Sequence, residues 1–151
     1  PKLQQLDDFK TPTEGQLVWN GIEDCHVYFA WQLPIAKANN CWPSTFEDSL
    51  VLTNVSWFKG LMDEKFDENG VEIEVPKGAL GSVAKKAVET EDFQQLLSEL
   101  HSLMHSSFNK SDFSASIFEL VSTGEDIECP GYIANALTWL QKQLEPSGVM
   151  E

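Results

Sequence analysis

His101 and His105 are four residues apart, a spacing that puts two imidazoles on one face of a helix. Such a pair can hold zinc when a third ligand and a carboxylate base accompany it. Here no Glu follows the first histidine and no third ligand is evident, so both are expected on the rim of a packed helix. The three cysteines, Cys25, Cys41 and Cys129, show no paired zinc-ligand spacing. Their odd number argues against a closed disulfide framework and for a reducing, cytoplasmic setting.

Carboxylates are the dominant charged groups. The 24 Asp and Glu against 10 Lys and Arg give a formal charge of −14. Such a surface repels free nucleic acid, because affinity for a polyanion comes largely from Lys and Arg. Its ordinary meaning is a solvated acidic face. Its sharper meanings are metal ligation, mimicry of nucleic acid to occupy a basic partner, or inhibition of a basic toxin as by an immunity protein.

A length of 151 residues suits one domain or a large part of one. Five Trp and nine Phe supply material for a real core, which excludes a wholly disordered chain. No apolar run approaches the roughly 20 residues that span a bilayer, so no membrane partner is expected. The segment Pro1 to Lys10 is polar and does not read as a signal peptide. With no initiating Met, the chain is expected to begin inside a longer protein.

The elements that must carry these groups follow from patterning. Residues 1–24 are polar, with Pro12, Gly15 and Gly21 as turn formers, and read as an arm or connecting loop. His26 to Leu33 is rich in β-branched and aromatic types and reads as a buried strand limited by Pro34. Ser44 or Thr45 can cap a helix that ends near Asn54, with Glu47 and Asp48 in the first turn, where negative charge suits the helix dipole. Asp67 to Gly70 is a turn signal, and Val71, Ile73 and Val75 alternate with glutamates as in a short exposed strand.

From Ala79 the chain reads as helical. Thr90 is the expected cap of a helix whose apolar stripe is Phe93, Leu96, Leu97, Leu100, Leu103 and Met104. A further helix is expected from Ser111 to Val121, capped by Ser111 or Asp112 and stopped by Gly124, with Phe113, Ile117, Phe118, Leu120 and Val121 as its apolar side. Pro130 opens the last helix, with Ile133, Ala136, Leu137 and Leu140 expected buried. Residues 145–151 are expected to fray as a flexible tail. One or two strands followed by several helices fits an α/β domain, or the second half of one.

Three blocks in this order carry a resemblance. The first is Phe29-Ala30-Trp31-Gln32 followed by Ser44-Thr45-Phe46-Glu47-Asp48-Ser49-Leu50-Val51-Leu52-Thr53-Asn54. The second is Lys110-Ser111-Asp112-Phe113-Ser114. The third is Pro130-Gly131-Tyr132-Ile133 running to Trp139-Leu140. Together they resemble the C-terminal part of the Toprim nuclease domain of OLD-family ATP-dependent endonucleases. The likeness covers residues 25–144 and implies an α/β, incomplete Toprim-like half domain, with one or two strands ahead of a helix-rich C-terminal part. Ser44 stands where that family usually has Arg, and Trp31 replaces a Tyr. The family's early elements, an acidic residue after a first strand and an Asp-x-Asp pair after a later one, are not found here; no such pair occurs in residues 1–30, and both are expected on a preceding part of the polypeptide or lost.

The resemblance implies phosphodiester cleavage with Mg²⁺ or Mn²⁺, in which two metals about 3.5–4 Å apart stabilise the attacking and leaving oxygens. It makes Glu47 the metal-binding carboxylate of this piece and Asp48 the neighbouring candidate. Adjacent helical residues point apart, so the two are not expected on one metal. Glu47, in a helix start after a strand, would sit where open α/β sheets place ligands. Lys110 would offset charge on the transferring phosphate. Ser44 and Thr45 would touch phosphate or act as caps. Tyr132 and Trp139 read as packing residues. ATP would enter only through a separate N-terminal ATPase region, since no Gly-x-x-x-x-Gly-Lys-Ser/Thr loop is present. The implied partners are the rest of the nuclease, DNA in the assembled enzyme, and further copies joined through the ATPase part.

Overall fold

The computed structural model describes residues 16–20, 26–63, 65–66, 72–106 and 108–144. Cys25, the 67–70 turn and the 145–151 tail lie outside these residues. The described chain is predominantly helical and divides into two compact units.

The smaller unit joins the N-terminal part to the C-terminal helix. Strand β1, Gln16–Asn20, pairs antiparallel with β2, His26–Ala30, in a register that sets Gln16 opposite Ala30 and Asn20 opposite His26. Part of the expected arm is therefore a strand. The run Leu17-Val18-Trp19 has the β-branched and aromatic types that favour a pleated surface, and it outweighs the surrounding turn formers. Helix α6, Gly131–Leu144, packs on β2, and Tyr28 stacks on Trp139 with ring centroids 5.1 Å apart. The expected buried stripe is corrected here, since Leu137 is 58% and Leu140 46% exposed. No residue of α6 is fully buried; Ile133, Ala136 and Trp139 are half-buried.

The larger unit spans residues 34–128. It opens with a tight loop closed by a single antiparallel bridge between Ile35 and Cys41, around a 3₁₀ turn at Ala36–Ala38. Asn39 and Asn40 hold left-handed backbone, which Asn tolerates better than most residues. Two short helices follow, α1 (Phe46–Thr53) and α2 (Val55–Gly60). Strands β3 (Lys65–Phe66) and β4 (Glu72–Ile73) pair antiparallel, so the expected strand near residues 71–75 is present but short. Then come α3 (Gly78–Glu89), α4 (Phe93–Met104) and α5 (Lys110–Ser122).

Helix α3 packs against α2, α4 and α5, and α1 packs on α4. The core between them holds Val51, Leu52, Phe58, Val83, Leu96, Leu100 and Phe113, each essentially excluded from solvent. The stripe read on α4 is the buried one: Leu96, Leu97, Leu100 and Met104 face inward, with Phe93 and Leu103 packed at its margin. On α5, Phe113 is buried and Ile117 and Leu120 pack beside it. Phe118 and Val121, expected on the same side, point outward at 74% and 50% exposure, because the apolar side of this helix is wider than the face its neighbours cover.

Two helix starts differ from expectation. Asp92 caps α4 by accepting from the Gln95 amide at 2.8 Å, whereas Thr90 is buried at the end of α3. Asn109 caps α5 by accepting from the Asp112 amide at 3.0 Å. The Asp112 carboxylate instead reaches across to α3 and accepts from the Ala79 amide at 3.2 Å. Lys77, at the N-cap position of α3, makes no side-chain cap bond, so Asp112 supplies what the local sequence lacks. Gly78 permits this approach, with φ +66° and only 2.9 Å between a would-be Cβ and the Asp112 carboxylate.

Gly81 makes a second close approach. A Cβ there would lie 2.1 Å from the Pro76 carbonyl oxygen. Alanine in place of glycine inside a helix normally stabilises by about 1 kcal/mol. Gly81→Ala is expected to reverse that sign and cost about 1–3 kcal/mol, the usual range for overpacking. Thermal unfolding by circular dichroism checks this, and an unchanged or raised midpoint would show that the Pro76 turn yields freely.

Cys41 is buried and Cys129 exposed, and both are free thiols. Burial pushes the Cys41 thiol above its ordinary value, with the Asp92 carboxylate adding to the rise. Partial desolvation raises Cys129 too. A raised folded value favours the neutral thiol. Its contribution to stability is complete below the unfolded thiol pKa, about 8.5, and is lost as pH rises through the folded value. Iodoacetamide is accordingly expected to label Cys129 in the folded chain, more slowly than a free small thiol at pH 8. Cys41 should react only on unfolding. Peptide-resolved mass spectrometry reads this, and equal rates at the two sites would contradict it.

Candidate functional site

The first turn of α1 gathers the charged groups singled out in the sequence. Thr45 is its N-cap, and the Thr45 hydroxyl accepts from the Asp48 amide at 3.1 Å. The Asp48 carboxylate turns back and accepts from the Thr45 amide, also at 3.1 Å, completing a reciprocal capping box. This is the start anticipated for Ser44 or Thr45, with Thr45 as the cap.

Asp48 is fully buried, and its two oxygens fare differently. Oδ2 accepts from the Thr45 amide, from the Ser44 amide at 3.3 Å, from the Ser44 hydroxyl at 3.2 Å, and from His101 Nε2 at 2.8 Å. Oδ1 is buried with no hydrogen-bond partner among the described residues. Leaving a buried acceptor unpaired costs on the order of 1–3 kcal/mol. The cluster on Oδ2 must offset that.

His101 Nε2 also lies 2.7 Å from the Ser44 hydroxyl. A serine, a histidine and an aspartate in contact suggest a nucleophilic triad, but the arrangement cannot work as one. In a triad the aspartate binds one ring nitrogen and the serine the other. Here both meet Nε2. With both partners on Nε2, one nitrogen cannot at once donate to the carboxylate and take the serine proton. The Ser44 hydroxyl therefore serves the cap. His105, the residue after α4, is exposed, and among the described residues no group of three or more metal-ligating side chains includes the two histidines.

Glu47 leaves the helix in another direction from Asp48. Its Oε1 lies 3.3 Å from Lys110 Nζ, and the Glu47 side chain is 11% exposed against 52% for Lys110. Lys110 is the first residue of α5, where a cation faces the positive end of the helix dipole. Glu47 sits in the first turn of α1, where an anion is favoured. The pair thus places a well-seated carboxylate against an otherwise poorly placed ammonium, from helix starts 63 residues apart in sequence. Coulomb attraction across a partly exposed pair of this kind adds at most about 1 kcal/mol to stability.

The two residues picked as chemically active in the sequence, Glu47 and Lys110, are therefore neighbours. Asp48 is not directed to the same point. As a magnesium site the donor set is partial. Glu47 offers the hard oxygen that Mg²⁺ prefers, and that ion keeps several waters and takes one or two carboxylates. Among the described residues, no group of three or more His, Cys, Asp or Glu side chains is arranged to hold a metal ion. Glu47 offers a single carboxylate there, and Asp48 is the group that fixes the turn. Nothing in the local sequence pointed to the His101 contact, which joins residues 53 apart.

At the other end of α1, Asn54 binds the chain near residue 128. Its side chain donates to the Glu128 carbonyl at 2.9 Å and accepts from the Glu128 amide at 2.8 Å. Lys37 pairs with the Glu128 carboxylate, and Trp57 donates to Glu125 at 3.0 Å. These contacts line a hollow of about 430 Å³ with Phe93, Lys59 and Asp126, well supplied with internal partners.

Comparison of the chain with family models, with curated proteins and with solved structures finds no match. Among the described residues no helix is long and apolar enough to cross a membrane.

Proposed function

We propose that this chain is the C-terminal Toprim segment of a metal-dependent, ATP-regulated DNA endonuclease of a prokaryotic defence or repair system. The observation that carries the reading is the convergence of Glu47 and Lys110, 3.3 Å apart. The ordered sequence blocks single out these same two residues. In this reading the α-rich chain is the second half of an α/β Toprim-like domain, and a preceding part supplies the remaining carboxylates and the ATPase.

Mg²⁺ or Mn²⁺ would activate water and steady charge on the phosphate. Glu47 would supply one oxygen ligand. Lys110, held by Glu47 in the resting chain, would turn its ammonium to the phosphate as negative charge builds there. Asp48 and Thr45 would fix the turn that presents Glu47. The acidic surface would keep DNA away from faces other than the one carrying Lys110.

The test is metal-dependent DNA cleavage by the complete polypeptide or complex containing this chain, with Glu47→Ala beside it. Cutting that requires Mg²⁺ or Mn²⁺ and is lost in a folded variant supports the reading. Normal cutting by the variant removes Glu47 from the site. A parent that never cuts overturns the nuclease reading. The net charge of −14 then favours an acidic binding or immunity protein, and capture of a basic partner is the next step.

A further inference from the structure

We propose that His101 is a positioning residue for this site, acting through Asp48 on the turn that presents Glu47. The inference rests on the nuclease reading for its consequence, but its structural half stands alone.

Helix α1 has only eight residues, so its first turn is a large fraction of it. The capping box is local, joining Thr45 to Asp48. A local box sets the shape of the turn but not its place against the rest of the unit. Glu47 must reach Lys110 on a different helix, and small rotations of the turn would move its carboxylate away. Through the imidazole of His101, carried by α4, a long-range hydrogen bond adds to the apolar packing of α1 and ties its first turn to the packed helices. It meets a carboxylate oxygen that is wholly buried, where each donor counts most. Ser44 closes the same cluster from the preceding loop.

The donor that matters is Nε2, three bonds from Cβ. Gln places an amide nitrogen at the same bond count, whereas Asn stops one bond short. His101→Gln should therefore keep the tie, and His101→Asn and His101→Ala should lose it.

The first arm measures hydrogen–deuterium exchange over residues 44–53 of the full chain. Loss of the tie should speed exchange of the first-turn amides by about ten-fold in the Ala and Asn variants, as a local opening with little change in α3. The Gln variant should match the parent sequence. The second arm uses the assembled nuclease. His101→Asn should raise the metal concentration for half-maximal cutting by roughly ten-fold or more, the range seen when a ligand's supporting partner is removed, with the rate at saturating metal largely kept. His101→Gln should restore it.

Unchanged exchange in the Asn variant overturns the proposal whatever the enzyme does. Faster exchange with unaltered metal dependence, in a nuclease that needs Glu47, overturns the positioning role. The expected exchange pattern in a parent that never cuts supports the tie and removes the nuclease reading, whereas the same pattern with normal cutting by Glu47→Ala supports the tie and overturns the positioning role. Should the Ala variant fail to fold, the Asn and Gln pair carries the contrast.

Discussion

Phe58→Ala is expected to lower the stability of the larger unit by about 3–5 kcal/mol, the range for removing a buried aromatic ring. Phe58 is completely buried on α2. Its ring stacks on Phe113 of α5 at 6.2 Å between centroids, and Phe113 meets Phe108 at 5.5 Å. Trp57 covers the edge of Phe58 at 5.0 Å. Truncation therefore opens a void between α2 and α5 that several rings border, and rings do not collapse inward as flexible side chains can. A domain of this size holds about 5–15 kcal/mol in all, so the loss is about a fifth of the total or more. Phe58→Leu, which keeps most of the volume, should cost roughly 1.5 kcal/mol or less. Urea denaturation of both variants checks this, and equal midpoints would show that the site repacks.

On the proposed nuclease reading, Glu47→Ala is expected to reduce metal-dependent cutting by the complete polypeptide or complex by at least about 100-fold, comparable to losing a directed charge-stabilising group. The fold should survive the substitution. Glu47 is not part of the capping box, whose groups are Thr45 and Asp48. Its partner Lys110 is half-exposed and can be hydrated once the carboxylate is gone. The stability change should therefore stay near or below about 1 kcal/mol. Lys110→Ala should impair cutting as well, whereas Lys86→Ala, which breaks an ion pair with Glu99 between α3 and α4, should leave it unchanged. Initial rates over a range of Mg²⁺, with circular dichroism of each variant, decide the matter. Equal losses from Glu47→Ala and Lys86→Ala would sink the assignment.

Local rules carried the sequence reading as far as they act locally. The first turn of α1 was legible because a cap, two acids and an apolar run all lie within six residues, Thr45 to Leu50. The α4 stripe was legible because its leucines recur at helical spacing and its neighbours cover that stripe alone. The exposed Phe118 and Val121 were not, since periodicity gives the width of an apolar face and not how much of it is covered. Thr90 and Asp112 misled for a related reason. Each has a side chain suited to capping, but Asp92 and Asn109 lie nearer the true helix starts. In the candidate site, Glu47 and Lys110 were marked by motif, and their contact is long-range. The role of His101 left no local trace, because the carboxylate it binds belongs to another helix.

The carboxylate of Asp112 at the start of α3 bears on how the unit assembles. Its acceptor comes from a residue 33 positions further along the chain. Until α5 docks, the first turn of α3 has no cap of its own and must fray. Once docked, α5 cannot leave without exposing that turn again. The two helices therefore gain and lose order together, and a ribosome that has released only α3 has not yet made a finished helix. Cooperativity in this unit is enforced by one borrowed oxygen as well as by the apolar core.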